Sequence, residues 1–328
     1  IADLAIWEGK EWDGKKLNGI AEAPNSIFHP WCYSDDTEVM TNHGFKLFKD
    51  VLDDDLIMAI NPDTKEVDFV PFVKRFSYFY DGNMINFPGR NFDLVVTPDH
   101  NMLYSDRKTG ELKSMKAKEL IKLAAYNIPR AVGVWNHEDD EEYIQFKKIR
   151  VRKSQYFRLW GWYLSEGSGR KKTANGYEIK LAQKNPDTIY NDLIDFQNVM
   201  VKGKDAIYIC GDIAKSFEQM FGIYAADKFI PDFIKKSSKE NICEFISAFM
   251  MGDGTNIVCK PHESSYSTNG KSVKRYMRTS SRKMADDICE LIVKTGNMPS
   301  VYVHKQTGVS KNFKNGTYIM NTDCYVIG

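Results

Sequence analysis

The sequence predicts a multidomain chain with an all-β portion in front and an α/β portion behind it. Three observations predict this. Short segments between Cys32 and about Tyr104 alternate apolar and polar residues with period two, as half-buried strands do. Beyond an acidic break at HEDDEE, residues 137–142, longer stretches carry helical spacing with strand-like segments between them. The charge also divides: residues 147–312 hold 28 Lys and Arg against 17 Asp and Glu, net +11, which leaves −10 on the remainder. The basic half is the candidate for a polyanionic partner.

Residues 1–31 read as a flank with little periodicity that closes on APNSIFHPW. TEVMT and FKLF are then the first strands. DLIMAINPDTKEVDFV reads as two strands around an Asn-Pro-Asp-Thr turn, and FSYFYDGNMINF as a hairpin on Asp81-Gly82. DLVVTPDHNMLY reads as a strand pair interrupted at Pro98, and MKAKELIKLA as a helix. Past the acidic break, helices are expected at 155–165, 186–201, 211–221, 238–252 and 281–296, with strands at YEIKLA, AIYIC and SVYVHK. No GxGxxG or GxxxxGK[ST] phosphate loop is present. No apolar run approaches the ~20 residues that span a bilayer, and no membrane partner is expected. The acidic N-terminus is no signal peptide. Six cysteines at 32, 210, 243, 259, 289 and 324 form no CxxC pair, which fits reduced thiols and an intracellular location.

One pattern occurs twice. RLWGWYLSEGSG, residues 158–169, is an apolar helix that stops on acid-Gly, and ISAFMMGDGT, residues 246–255, repeats it 87 residues later. Gly161 and Ser165 face Ala248 and Gly252, and Glu166 faces Asp253. Small residues four apart make a flat stripe on which two helices approach backbone to backbone. Packed so, the helices would bring Glu166 and Asp253 to one end of the interface. Two carboxylates that close call for a cation, and hard oxygen ligands suit Mg²⁺ or another divalent metal.

These segments resemble the signature helices of LAGLIDADG (dodecapeptide, DOD-type) homing endonucleases in the single-chain, two-repeat form. DKFIPDFI resembles the family's Lys-x-Ile-Pro segment, with Lys228 in the basic position, and YMRTSSRKMADDICELIVKTGNMPSVY resembles the family's segment after the second helix. Glu166 stands where Asp is commoner. The resemblance covers roughly 150–310. It implies a monomeric hydrolase that cuts double-stranded DNA, with two pseudo-symmetric αββαββ halves. Glu166 and Asp253 would hold the metal, and Lys228 would support the transition-state charge. Arg170, Lys171, Lys172, Lys180, Lys184, Lys274, Arg275 and Arg278 would contact DNA, mostly at phosphate.

CYSDDTEVMTNHG, residues 32–44, and VVTPDHNML, residues 95–103, resemble the first two splicing blocks of an intein, and with them a Hint (horseshoe β) domain. The resemblance implies that Cys32 attacks the Trp31 carbonyl to make a thioester while His100 protonates the leaving amide nitrogen. Thr97 and Asp99 would position the peptide and His100. The implied organisation is a host-protein flank over 1–31, a Hint domain over 32–146, an endonuclease over 147–312, and an incomplete return toward the Hint domain over 313–328. An intein ends on His-Asn before Cys, Ser or Thr, whereas this sequence ends DCYVIG. As written it would at most form the thioester and release 1–31, and it is either a fragment of a longer precursor or a splicing element that has decayed. The implied DNA partner is the host gene's uninterrupted junction. Two other readings stand beside this one: a decayed nucleic-acid-binding module, and an autoprocessing element with a passenger endonuclease.

Overall fold

The computed structural model describes residues 33–61, 64–73, 80–88, 93–107, 109–128, 133–138, 141–171, 176–220, 227–259, 272–313 and 316–328. It is a mixed α/β structure with several small antiparallel sheets. Chain contacts divide it into a first unit up to Trp135, which also takes in Gly296–Met298, and a second over Asn136–Thr295 and Pro299–Gly328. Among the described residues no helix is long and apolar enough to cross a membrane.

The first unit is built from hairpins. Strands β1 (Glu38–Thr41), β2 (Gly44–Leu47), β3 (Leu56–Ile60) and β4 (Val67–Pro71) form one sheet in the order β2-β1-β3-β4. The β1–β2 turn needs Gly44, whose φ of 101° is open to glycine at little cost. Strand β5 (Ile85–Pro88) pairs with β6 (Asp93–Val96), and β7 (Asn101–Ser105) with β8 (Leu112–Lys116). The segment DLVVTPDHNMLY therefore supplies two strands that pair with other partners rather than with each other. Residues 74–79, the first arm expected of the hairpin on Asp81-Gly82, lie outside the described residues.

The helix expected over MKAKELIKLA shrinks to a single turn, α1 (Ala117–Leu120). Its opening Met115-Lys116 belongs to β8, and beyond it Ser105 N–H donates to Asn127 O (2.7 Å), drawing the chain back to the end of β7. Phe87, Val96, Met102, Ala117 and Leu120 form the buried cluster of this region, with Tyr33 and Tyr104 against it.

The second unit opens with a hairpin of β9 (Tyr143–Phe146) and β10 (Ile149–Arg152), then helix α2 (Lys153–Glu166). There follow β11 (Gly167–Lys171), β12 (Tyr177–Ala182), α3 (Pro186–Asp192), β13 (Met200–Lys202), β14 (Ala206–Cys210), α4 (Asp212–Met220) and α5 (Asp232–Lys235). A second long helix, α6 (Lys239–Asp253), leads into β15 (Gly254–Cys259), β16 (Ser272–Thr279), α7 (Arg282–Lys294), β17 (Val301–His304), β18 (Ser310–Phe313), β19 (Gly316–Ile319) and β20 (Cys324–Ile327).

The two four-stranded sheets run β11-β12-β14-β13 and β15-β16-β20-β17. Setting aside the β18–β19 hairpin, both follow the chain order first, second, fourth, third. Each first strand leaves directly from the end of a long helix. Helices α2 and α6 are the most closely associated pair of elements, and α2 is buried on nearly every side. Its apolar and aromatic residues fill the core, while Arg158 makes the polar ties to its neighbours. Trp160 and Trp162 are almost fully covered, with the Trp160 ring 4.2 Å from that of Phe217.

One expectation is corrected here. The helix expected over 186–201 stops at Asp192, where Leu193 turns to φ −98°, ψ 58° before a 3-10 turn and β13. The cause is tertiary: the Asp192 carboxylate is gripped by Arg158 and by Trp162 Nε1 (2.6 Å), and its carbonyl by Gln155 (3.1 Å). The last strand, β20, is an inner strand of its sheet, bonded to both β16 and β17, with Val326 and Ile327 buried.

Candidate functional site at the α2–α6 crossing

The small-residue stripe read from the repeat is where α2 and α6 meet. A Cβ built on Gly161 would lie against Phe245 O, 2.8 Å from Ala248 Cβ and 2.9 Å from Phe249 N. One on Gly252 would strike the Ser165 hydroxyl and come within 2.9 Å of Glu166 Cγ. Each glycine lets the other helix in, and Ser165 turns its hydroxyl back to Gly161 O (3.0 Å) rather than across the gap. Arg158 adds a polar tie, donating from Nη1 to Glu244 Oε2 on α6 (2.7 Å) while it holds Asp192.

Glu166 and Asp253 are the last residues of α2 and α6, so the crossing places both at its end. Burial raises the Glu166 pKa, against the pull of Lys228. Asp253 reaches solvent on one side, yet the protein packed behind it pushes its carboxyl up to about 6. Glu166 beside it pushes the same way, and Lys228 opposes. Both acids also stand at helix C-termini, where the backbone dipoles add negative potential. All three effects disfavour two bare carboxylates and favour a cation between them. Among the described residues no cluster of three or more His, Cys, Asp and Glu could hold a metal. A donor set of two carboxylates fits Mg²⁺, which keeps several waters and accepts phosphate oxygens.

Lys228 reaches this centre from the chain before α5. Its Nζ donates to Tyr163 O (3.3 Å), Leu164 O (3.1 Å) and Gly167 O (2.8 Å), so it closes the last turn of α2. Carbonyls left open at a helix end are satisfied this way by a lysine. Burial lowers its pKa, while Asp253 and then Glu166 hold it up.

The basic candidates are spread more widely. Lys180 lies on β12 opposite Ser168 and Tyr208, and Lys184 is exposed after that strand. Arg275 and Arg278 are exposed on β16, but strand alternation puts Arg275 on the face of Met277 and Arg278 on that of Tyr276. Arg170 and Lys171 fall on β11 and Lys274 on β16; Lys172 lies outside the described residues.

In the first unit, Cys32 also lies outside the described residues. Its neighbour Tyr33 forms a β-bridge with Val96, Ser34 N–H donates to Val95 O (2.8 Å), and the Tyr33 ring meets the His100 ring edge-on at 4.4 Å. Thr97 and His100 are buried next to one another, His100 N–H donating to Thr97 O (3.0 Å). Asp99 does not join them. It is paired on the surface with Lys118 (2.6 Å) and Lys116 (3.1 Å), and those hydrogen bonds lower its pKa. Cys210, Cys243, Cys289 and Cys324 are free thiols.

No family model matches the chain. It is similar to a ribonucleoside-diphosphate reductase subunit beta of Aquifex aeolicus, 29% identical over 39% of this chain and 18% of that protein. It is also similar to an ATP-dependent Clp protease proteolytic subunit of Chlamydomonas moewusii, 21% identical over 84% of this chain and 29% of that protein. A DNA polymerase of Thermococcus kodakarensis is 31% identical over 30% of this chain and 6% of its own length. The chain thus spans less than a third of each of these curated relatives. Structural neighbours include a splice-inactive variant of the AceL NrdHF class 3 split intein, with TM-score 0.21 and 20% identity over 35% of this chain and 67% of that one. They also include the homing endonuclease I-WcaI bound to its DNA recognition sequence, with TM-score 0.30 and 15% identity over 54% of this chain and 76% of that one.

Proposed function

We propose that the chain is a two-repeat LAGLIDADG homing endonuclease carried inside a protein-splicing element that begins at Cys32. The observation that carries the endonuclease half is the arrival of Glu166 and Asp253 at one end of two glycine-crossed helices, each leading into the first strand of a sheet of the same strand order. The curated relatives support the insertion: a reductase subunit, a protease subunit and a polymerase have no reaction in common, and a matching segment inside each fits one that moves between hosts.

Glu166 and Asp253 would hold a divalent metal, Mg²⁺ by the chemistry of the donors. When bound it supplies an activated water and neutralises charge on the phosphate under attack. The chain's own part is to keep both carboxylates ionised and aimed at one point. The α2–α6 crossing does the aiming, and Lys228 favours ionisation through its charge. The exposed basic residues Lys184, Arg275 and Arg278 would anchor the duplex at its phosphates.

The test is to select a cleavage site from a randomised duplex library with Mg²⁺ and to assay it with wild type, Glu166→Gln and Asp253→Asn. A double-strand cut by wild type alone is expected, the variants losing about a hundredfold or more in rate. Cutting by both variants would remove the metal assignment. Binding without any cut would leave a nucleic-acid-binding module.

The splicing half rests on Tyr33, which ties the residue after Cys32 to the strand before Thr97 and to the His100 ring. Cys32 Sγ would form a bond to the Trp31 carbonyl carbon as the Trp31–Cys32 C–N bond breaks. His100 would give its proton to the departing nitrogen. Dithiothreitol should then release residues 1–31, seen by intact mass. Cys32→Ala should abolish release, and His100→Ala should slow it about a hundredfold or more. Equal release from all three proteins would sink this assignment.

A further inference from the structure

Lys228 is held by its backbone as well as by its ammonium group. Ser281 Oγ donates to Lys228 O (2.7 Å), and Ile230 N–H donates to Asp287 Oδ2 (2.8 Å). Two residues apart, these bonds fasten both ends of the stretch Lys228–Ile230 to the N-cap and the second turn of α7. Pro231 follows, and the residue before a proline is driven toward extended backbone, which keeps the stretch straight. Both gripping side chains are themselves fixed. Ser281 caps α7, accepting from Met284 N–H (3.1 Å). Asp287 is wholly buried and paired with Lys283 (2.5 Å) and Lys235 (3.5 Å).

We propose that Ser281 and Asp287 are positioning residues that lock the Lys228 backbone, and so set where its ammonium sits beside Glu166 and Asp253. This rests on the endonuclease reading for its effect on rate, but not for the clamp itself. A serine hydroxyl at this point does two things, capping α7 and donating to Lys228 O. The cap alone would explain a serine. Aspartate caps as well as serine does but has no proton to donate, so the two roles come apart in one substitution.

The experiment compares wild type, Ser281→Asp and Ser281→Thr in the full chain. Acetic anhydride labelling of Lys228, read by mass spectrometry, measures the clamp without any activity. Cleavage rate and DNA affinity at the selected site measure its consequence. Ser281→Asp is expected to fold with a lowered Tm, because a carboxylate replaces a buried hydroxyl against Lys228 O. It should label at Lys228 at least about fivefold faster, and cut bound DNA about tenfold to a hundredfold more slowly at unchanged affinity. Ser281→Thr, which retains both roles, should label and cut as wild type. If Ser281→Asp fails to fold, Ser281→Ala loses the same donor without adding a charge, and its labelling gives the answer. Wild-type labelling in the folded variant would overturn the proposal. Faster labelling with unchanged cutting would overturn its link to rate, and wild-type protein that cuts nothing would sink the endonuclease reading alone.

Discussion

Lys294→Ala should lower the unfolding free energy of the second unit by about 3–5 kcal/mol, the cost of leaving a buried charge without its partner. Lys294 sits at the last turn of α7 with 1% of its surface exposed. Its Nζ donates to Glu290 Oε1 (2.7 Å) and to Lys235 O (2.6 Å). Glu290 is equally covered, and its other cation, Lys235, stands farther off at 3.8 Å. Burial would pull the Lys235 pKa down, but Asp287, Glu290 and Asp232 more than restore it, so all four groups depend on one another. Alanine removes the charge and the stem together. The double variant Lys294→Met/Glu290→Leu should recover most of the loss, because well-packed apolar pairs replace buried ion pairs at little cost. Urea unfolding of the three proteins decides it. A single variant within about 1 kcal/mol of wild type would mean that the network is not coupled as its geometry says.

Gly161→Val should cost about 3 kcal/mol, the upper end of what overpacking a core usually takes, and should remove cleavage with it. The new side chain would meet Phe245 O and Phe249 N, which are backbone atoms that cannot rotate away. The helices must separate, and Glu166 and Asp253 separate with them. Gly252→Ala makes the informative contrast. Its methyl group would meet the Ser165 hydroxyl and Glu166 Cγ, side-chain atoms that can give. Stability should therefore fall less than in Gly161→Val, while cleavage falls as far because the atom displaced belongs to an acid of the centre. Thermal unfolding and cleavage are measured on both. Equal stability losses, or Gly252→Ala with full activity, would refute the account of the crossing.

The acid centre was legible in the sequence because a helix converts spacing into direction. Small residues four apart must share a face, and an acid at the last position of each helix must then lie at the end of the crossing. Two copies of the pattern were enough to bring Glu166 and Asp253 together before any coordinates. The strands TEVMT, YEIKLA and AIYIC were legible from their β-branched, aromatic and other apolar residues, although burial along them does not alternate.

The features that stayed hidden were decided by contacts between residues far apart in the chain. Asp192 ends α3 because Arg158 and Trp162 claim its carboxylate, and no local preference encodes that. Asp99 turns to Lys116 and Lys118 instead of the buried pair beside it, since both lysines stand on the strand and turn that fold over it. Residues 324–327 form an inner strand, where Val326 and Ile327 are covered by partners drawn from distant parts of the chain. The sequence by itself determined that two acid-ended helices would pair. Tertiary structure alone decided that Lys228 closes the end of α2, and that Ser281 and Asp287, more than fifty residues further along, hold it there. Periodicity reports the face a residue takes within its own element, whereas which elements meet is set by burial summed over the whole chain.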